Sequence, residues 1–199
     1  MMLTEETPIA DGDLPLDAFK AHLRMGSGFG VEDTQDGILT SFLRAAIATI
    51  EARTGKVLLQ RVFSVSLDSW PSDNGVVFPV APVTDVTLVE TVERDGVRSV
   101  VDDSLYWLQQ DAQQPKLRST TTLPGMAVDG ATLAIRFEAG FAANWADLPA
   151  DLRQAVLMLA AHYYEYRNDT GLSGGCTPFG VSSLIARYRA LRLGVGSTT

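Results

Sequence analysis

The sequence predicts an α+β fold: a four-helix core of two N-terminal and two C-terminal helices, with an antiparallel β unit inserted between the pairs. Three observations predict it. Up to Gly55 the apolar residues recur at three- and four-residue steps, from Lys56 to about Glu138 the period falls to two, and from Leu148 the helical spacing returns. The amphipathic stripes of the outer pairs need one another to be buried, so the strands read as the insertion. The expected organisation is residues 1–55 and 146–193 as the two halves of the core, 56–145 as the β unit and 194–199 as a flexible tail.

Pro15, after Asp13 and Leu14, starts a short first helix through Leu16, Phe19, Ala21 and Leu23, which breaks at Gly26-Ser27-Gly28-Phe29-Gly30. Asp33 and Thr34 offer N-caps to a second helix. Its residues Ile38, Leu39, Phe42, Leu43, Ala46, Ile47 and Ile50 share one face, and Gly55 supplies the stop. Alternation then begins with Val57, Leu59, Phe63, Val65 and Leu67. Trp70-Pro71 and Asp73-Asn74-Gly75 interrupt it before strands at Val76–Phe78 and Val83–Glu93, and Asp95-Gly96 predicts a hairpin into Val97–Val101. Further strands are expected at Tyr106–Leu108, Lys116–Arg118 and Thr132–Glu138.

Leu148-Pro149-Ala150-Asp151 opens a third helix that runs to about Arg167, with proline in its first turn and an acid at the positive end of the dipole. Residues Ala155–Ala161 of this helix are apolar all the way round, which predicts cover on more than one side. Leu157, Met158, Ala161 and Tyr164 are the expected subunit-interface positions. A connector at 168–180 holds Gly171, Gly174, Gly175, Gly180 and Pro178. A last helix over Ser182–Leu193 then carries Leu184, Ile185, Tyr188 and Leu191 on one arc, flanked by Arg187, Arg189 and Arg192. Apolar anchors beside guanidinium forks are the form of a helix-in-groove ligand for a carboxylate-bearing partner. Folding back onto its own core is the competing reading.

Composition narrows the function. A chain of 199 residues with 46% hydrophobic and 20% charged side chains is expected to bury roughly 70% of its unfolded surface. Acids at Glu5, Glu6, Asp11 and Asp13 stand where an export signal needs positive charge, and Ala155–Ala161 is far too short to span a membrane. A cytoplasmic origin and no membrane contact are the expectation. The net charge of −8 repels a phosphate backbone, although residues 181–199 carry three arginines and no acid.

Reactive constellations fare poorly. The glycines of 26–30 follow a helix and not a strand, and Gly55-Lys56 lacks the remaining parts of a phosphate loop. His162 and Glu165 have ligand spacing, but the only other histidine is His22. Cys176 lies in a glycine-rich stretch with no helix start just behind it to lower its pKa. Tyr163, Tyr164 and Tyr166 can stack on bases, yet adjacent Glu165 and the acidic whole favour packing. No catalytic residue, cofactor or metal is expected.

Two stretches carry a family resemblance. Leu16-Asp17-Ala18-Phe19-Lys20-Ala21-His22-Leu23-Arg24, then acids, then Ala45-Ala46-Ile47-Ala48-Thr49-Ile50-Glu51-Ala52-Arg53-Thr54-Gly55-Lys56, resembles the opening of the head-tail connector (adaptor) proteins of tailed phages. Leu148-Pro149-Ala150-Asp151-Leu152-Arg153-Gln154-Ala155, ending Ala161-His162-Tyr163-Tyr164-Glu165-Tyr166-Arg167, is similar to that family's third helix. The family occurs in long-tailed phages, prophages and phage-derived gene transfer agents. The resemblance implies a non-enzymatic adaptor in the particle neck, assembled in the bacterial host cytoplasm. It implies a homo-oligomeric ring of roughly a dozen copies under the portal protein, presenting a surface to a stopper or tail-completion protein. The family's helices form the ring and its C-terminal segment reaches the portal, so the portal is the expected partner of Leu184, Ile185, Arg187, Tyr188, Arg189, Leu191 and Arg192. An acidic channel wall lets DNA pass without specific binding. In place of the family's short Leu-Pro loop after Arg167, this chain has the glycine-rich stretch with Cys176 and Pro178-Phe179. The alternatives are a stopper or other neck protein and, in a different class, a small soluble hydrolase or ligand-binding protein with its pocket in the β unit.

Overall fold

The computed structural model describes residues 1–25, 35–68, 75–120, 131–167 and 177–189. The predicted breaks at 26–30, 70–71 and 73–74, the caps Asp33 and Thr34, and Cys176 lie outside these residues. The chain is α+β and divides into two compact units: a β unit of Met1–Pro15 with Lys56–Leu148, and a helical unit of Leu16–Gly55 with Pro149–Thr199.

Among the described residues the β unit holds eight strands: β1 (Met2–Glu5), β2 (Arg61–Leu67), β3 (Val76–Val77), β4 (Val83–Val92), β5 (Arg98–Val100), β6 (Tyr106–Gln109), β7 (Lys116–Ser119) and β8 (Thr132–Ala139). They form two antiparallel sheets, of order β1-β2-β8-β4-β5 and β3-β7-β6. The two-residue period does what it predicts. Phe63 and Val65 of β2 stand opposite Phe137 and Ile135 of β8, all four buried. The Phe137 ring lies 5.8 Å from Phe63 and 4.6 Å from Phe78, and Val76, Leu117 and Leu133 fill the same core. Interlocked rings of this kind add to the burial of their area.

The Asp95-Gly96 hairpin forms as expected. The Asp95 carboxylate accepts the Val97 amide at 3.0 Å, Gly96 takes a φ of 89°, and the Glu93 amide donates to the Val97 carbonyl at 2.8 Å. Gly140 leaves β8 at a φ of 148°, where a Cβ would come within 2.5 Å of the Gln60 backbone. Only glycine fits that crossing.

The first fifteen residues correct the expectation that 1–55 belongs to the helical core. β1 pairs with β2 in the register Met2↔Ser66 to Glu5↔Phe63, and the turn after it is held by the Val62 amide donating to the Thr7 hydroxyl. Glu5 and Glu6 form ion pairs with Arg61 at 2.9 Å and Arg136 at 2.6 Å. Two of the acids that argue against an export signal, Glu5 and Glu6, therefore fasten the terminus to the sheet.

The helical unit comprises α1 (Leu16–His22), α2 (Asp36–Thr54), α3 (Ala150–Glu165) and α4 (Phe179–Ile185), with a 3₁₀ turn at Ala186–Tyr188. Buried Phe19 anchors α1, and Lys20 reaches Asp36 in the first turn of α2 at 2.5 Å. Leu39, Leu43, Ala46, Ile47 and Ile50 form the buried stripe of α2, which ends as predicted on left-handed Gly55 with its amide on the Glu51 carbonyl. No described helix is long and apolar enough to cross a membrane. α4 departs from the sequence reading: it starts three residues before Ser182, ends at Ile185, and Arg189 is already extended. Pro178 sets its start, as proline favours the boundary of a helix.

Candidate functional site

The apolar run of α3 is not covered evenly. Ala155, Val156, Leu159, Ala160 and Ala161 are buried within the helical unit, whereas Leu157, Met158 and Tyr164 are half-exposed. Leu157 and Tyr164, seven residues apart, form one ridge along the helix, and Met158 stands beside it, about 100° round from Leu157. Of the expected interface positions, Ala161 is thus a core residue, and the other three are open in part.

Met158 and Tyr164 are each seated by a neighbour. A Cβ on Gly180 would come within 2.8 Å of the Met158 Cε, so α4 crosses that methyl because position 180 has no side chain. Tyr164 meets the Phe42 ring edge-on at 6.1 Å and carries the Arg167 guanidinium 4.6 Å over its face. The adjacent Tyr163 shares a 3.0 Å hydrogen bond with the Thr49 hydroxyl, and His162 packs its ring 4.7 Å from Tyr166. Tyr163 and Tyr164 pack against α2, the arrangement the sequence favoured over base stacking, whereas Tyr166 is exposed and meets the His162 ring of α3.

The C-terminal arc is corrected more strongly. Ile185 and Tyr188 are buried in their own helical unit, Leu184 is half-buried, and only Arg187 and Arg189 among the described members are exposed. Leu191 and Arg192 lie outside the described residues. Both oxygens of Asp151, in the first turn of α3, are engaged from this segment: the Tyr188 hydroxyl donates to Oδ1 at 2.8 Å, and the Arg187 Nε pairs with Oδ2 at 2.8 Å. Arg187 also donates to the Tyr188 hydroxyl. Burial pushes the Tyr188 phenol above its ordinary value, with Asp151 adding to the rise and Arg187 opposing it. Asp151 was legible as a helix-start acid. Its second role was not, because its partner stands 37 residues away.

The β unit has a shallow hollow of about 360 Å³ lined by Pro82, Val83, Thr84, Gln110, Asp111 and Ala112. Its polar groups serve the loop and do not converge on a ligand. The Asp111 carboxylate accepts the Gln113 and Gln114 amides at 2.7 Å each, bonds that lower its pKa. The Lys56 ammonium, buried beside this loop, donates to the Ala112 carbonyl and, at 2.9 Å, to the Gln113 side chain. Burial lowers its pKa, partly offset by the Asp111 charge. Among the described residues no three His, Cys, Asp or Glu side chains group as metal ligands would.

No protein-family model matches the chain, and no curated protein matches it. Solved structures do. The chain is similar to one in the neck of an empty gene transfer agent (GTA) particle computed with C6 symmetry, at 41% identity and a TM-score of 0.88, over 98% of this chain and 99% of that one. It is similar to a chain in the virion of a native GTA particle at 41% identity and a TM-score of 0.84, with the same coverage. A chain in the neck of a native GTA particle computed with C12 symmetry follows at 39% identity and a TM-score of 0.82, again over 98% and 99%. Identity of this order over whole chains carries more than a shared fold, and the chain belongs to the family of gene transfer agent neck proteins, structural components of the particle and not enzymes.

Proposed function

We propose that this protein is the head-tail connector of its particle: an adaptor whose copies close into a ring under the portal, extend the DNA channel and offer the tail side a docking surface for a stopper or tail-completion protein. The observation that carries the reading is the near-complete likeness to a chain in a C12-symmetric neck. A chain in a twelve-fold assembly occurs in multiples of twelve, and twelve copies also satisfy the six-fold symmetry of the other neck, whereas six copies do not satisfy twelve-fold symmetry. That arithmetic favours a dozen copies over a six-membered ring.

Cyclic closure needs two different patches on each copy, because a self-complementary patch closes a dimer. The half-exposed surface of Leu157, Met158 and Tyr164, bordered by Ala161, supplies one. The net charge of −8 suits a channel that lets DNA slide, since surplus carboxylates neutralise no phosphate. The portal contact belongs to the C-terminal segment, where Arg189, Leu191 and Arg192 follow the buried Ile185 and Tyr188. Deleting residues 190–199 tests this: the expected product is a folded, soluble protein whose particles are DNA-filled heads without tails. Particles that still carry tails would remove the segment from the junction.

A further inference from the structure

The C-terminal segment is roots and tip in one stretch of sequence, and the side chains divide between the two. Leu184, Ile185, Arg187, Tyr188, Arg189, Leu191 and Arg192 read as one ligand surface from spacing alone. In the structure Ile185 is 2% and Tyr188 8% exposed, while both Asp151 oxygens are held by Tyr188 and Arg187. A partner that used Tyr188 would have to uncover a buried ring, and one that used Arg187 would have to take it from this carboxylate.

We infer that Asp151 is a positioning residue: with Arg187 and Tyr188 it forms a clasp that fixes the root of the C-terminal segment to the first turn of α3, so that the partner-binding part begins at Arg189. The inference rests on the docking reading above and takes Arg187 and Tyr188 out of the docking surface. Three features of the clasp support it. The carboxylate sits in the rigid first turn of a 16-residue helix, where its Oδ1 also accepts the Leu152 amide at 3.0 Å. Its two donors come from adjacent residues, so losing one leaves the other in place. Val181 and Ile185 of α4 are buried just before it, which places the clasp at the end of a packed element, where a chain otherwise frays.

Limited trypsin digestion of the full-length protein, read by mass spectrometry, tests the clasp through three closely spaced arginines. The expected order is cleavage after Arg189 and Arg192 first and after Arg187 much later. Asp151→Asn should raise cleavage after Arg187 relative to Arg189 by roughly tenfold, since local opening limits cleavage at protected bonds. Tyr188→Phe should raise it less, because the Arg187 pair remains. Cleavage after Arg153, inside α3, should not change, which separates release of the clasp from general unfolding. Equal rates after Arg187 and Arg189 in the unaltered protein, or a ratio unmoved by Asp151→Asn, would overturn the inference. In particles, Asp151→Asn should reduce head-tail joining, with partial recovery in Asp151→Glu. Full joining by Asp151→Asn, where deletion of 190–199 abolishes it, overturns the positioning role alone. Joining that survives the deletion itself sinks the docking reading and this inference together.

Discussion

The β unit and the helical unit both leave apolar side chains exposed, but in places with different consequences. In the β unit they stand at sheet edges and a hairpin end: Met2 and Leu3 on β1, Val97 and Val100 around β5, and Trp107 on the edge strand β6. There the unpaired backbone groups are exposed with them. In the helical unit Phe179, at the start of α4, is 89% exposed, and Leu157 and Met158 stand half-open in the middle of α3, where the backbone is satisfied within the helix. Contact by a helix face must come from side-chain packing alone, so single side-chain changes there should act on assembly. Changes inside the β unit should act on folding.

The sharpest test of that division is Phe137→Ala. The ring lies on the central strand β8 between Phe63 and Phe78, and its loss should cost about 3–5 kcal/mol in denaturant unfolding. A loss under about 1 kcal/mol would mean that the core collapses into the gap, and the β unit would not be the rigid member of the pair. Next in size is Gly140→Ala. Its backbone conformation and the Gln60 backbone in the path of a Cβ predict a loss of about 1–3 kcal/mol, checked by the same unfolding curve. Gly96→Ala, also at positive φ but with open space around it, should cost less.

Met158→Glu probes the other side of the comparison. The position is half-exposed, so the carboxylate can turn to water, and unfolding should shift by no more than about 2 kcal/mol. Ring formation should nevertheless fail, as seen in the absence of assembled necks from particle preparations. Unchanged necks would show that this surface of α3 faces solvent in the particle. An unfolded variant would show that its contact with α4 at Gly180 matters more than its outward face, and Leu157→Glu would then carry the test.

What was legible followed the range of the interactions. The Gly55 stop of α2, the Asp95-Gly96 turn and the alternation of β2 and β8 are set within a few residues, and each appears where the pattern places it. β1 was not legible, because Met-Leu-Thr-Glu has no alternation of its own and becomes a strand by pairing with residues some sixty positions on. The two register shifts in β4, at Val83/Asp85 and Val86/Leu88, likewise arise against β8 and leave no local mark. At the candidate site an all-round apolar run does not say which of its members its own unit leaves half-open, and Leu157 and Met158 are two of them. Tyr188 was no more legible: an aromatic on an amphipathic arc reads the same whether it meets a partner or its own core, and only the distant Asp151 tells them apart.

The smallest expected effect lies in the pH dependence of the β unit. Lys56 is buried beside the 111–114 loop, and burial holds its pKa below the ordinary 10.5, with Asp111 acting the other way. Between its folded value and 10.5 the unfolded chain therefore binds more protons than the folded one, and stability rises with pH across that window. Lys56→Met, which keeps the stem and removes the ammonium, should flatten the rise. Tyr106 and Tyr188 contribute with the opposite sign: both are raised above 10.0, chiefly by burial, so the stability they add is complete below 10.0 and is lost as pH climbs through their folded values. The slope of unfolding free energy is best read between about pH 8 and 10, before the phenols ionise. A slope identical in the Lys56→Met protein would show that the two hydrogen bonds made by the ammonium offset its burial in full, and that the loop is held by Asp111 and its amides alone.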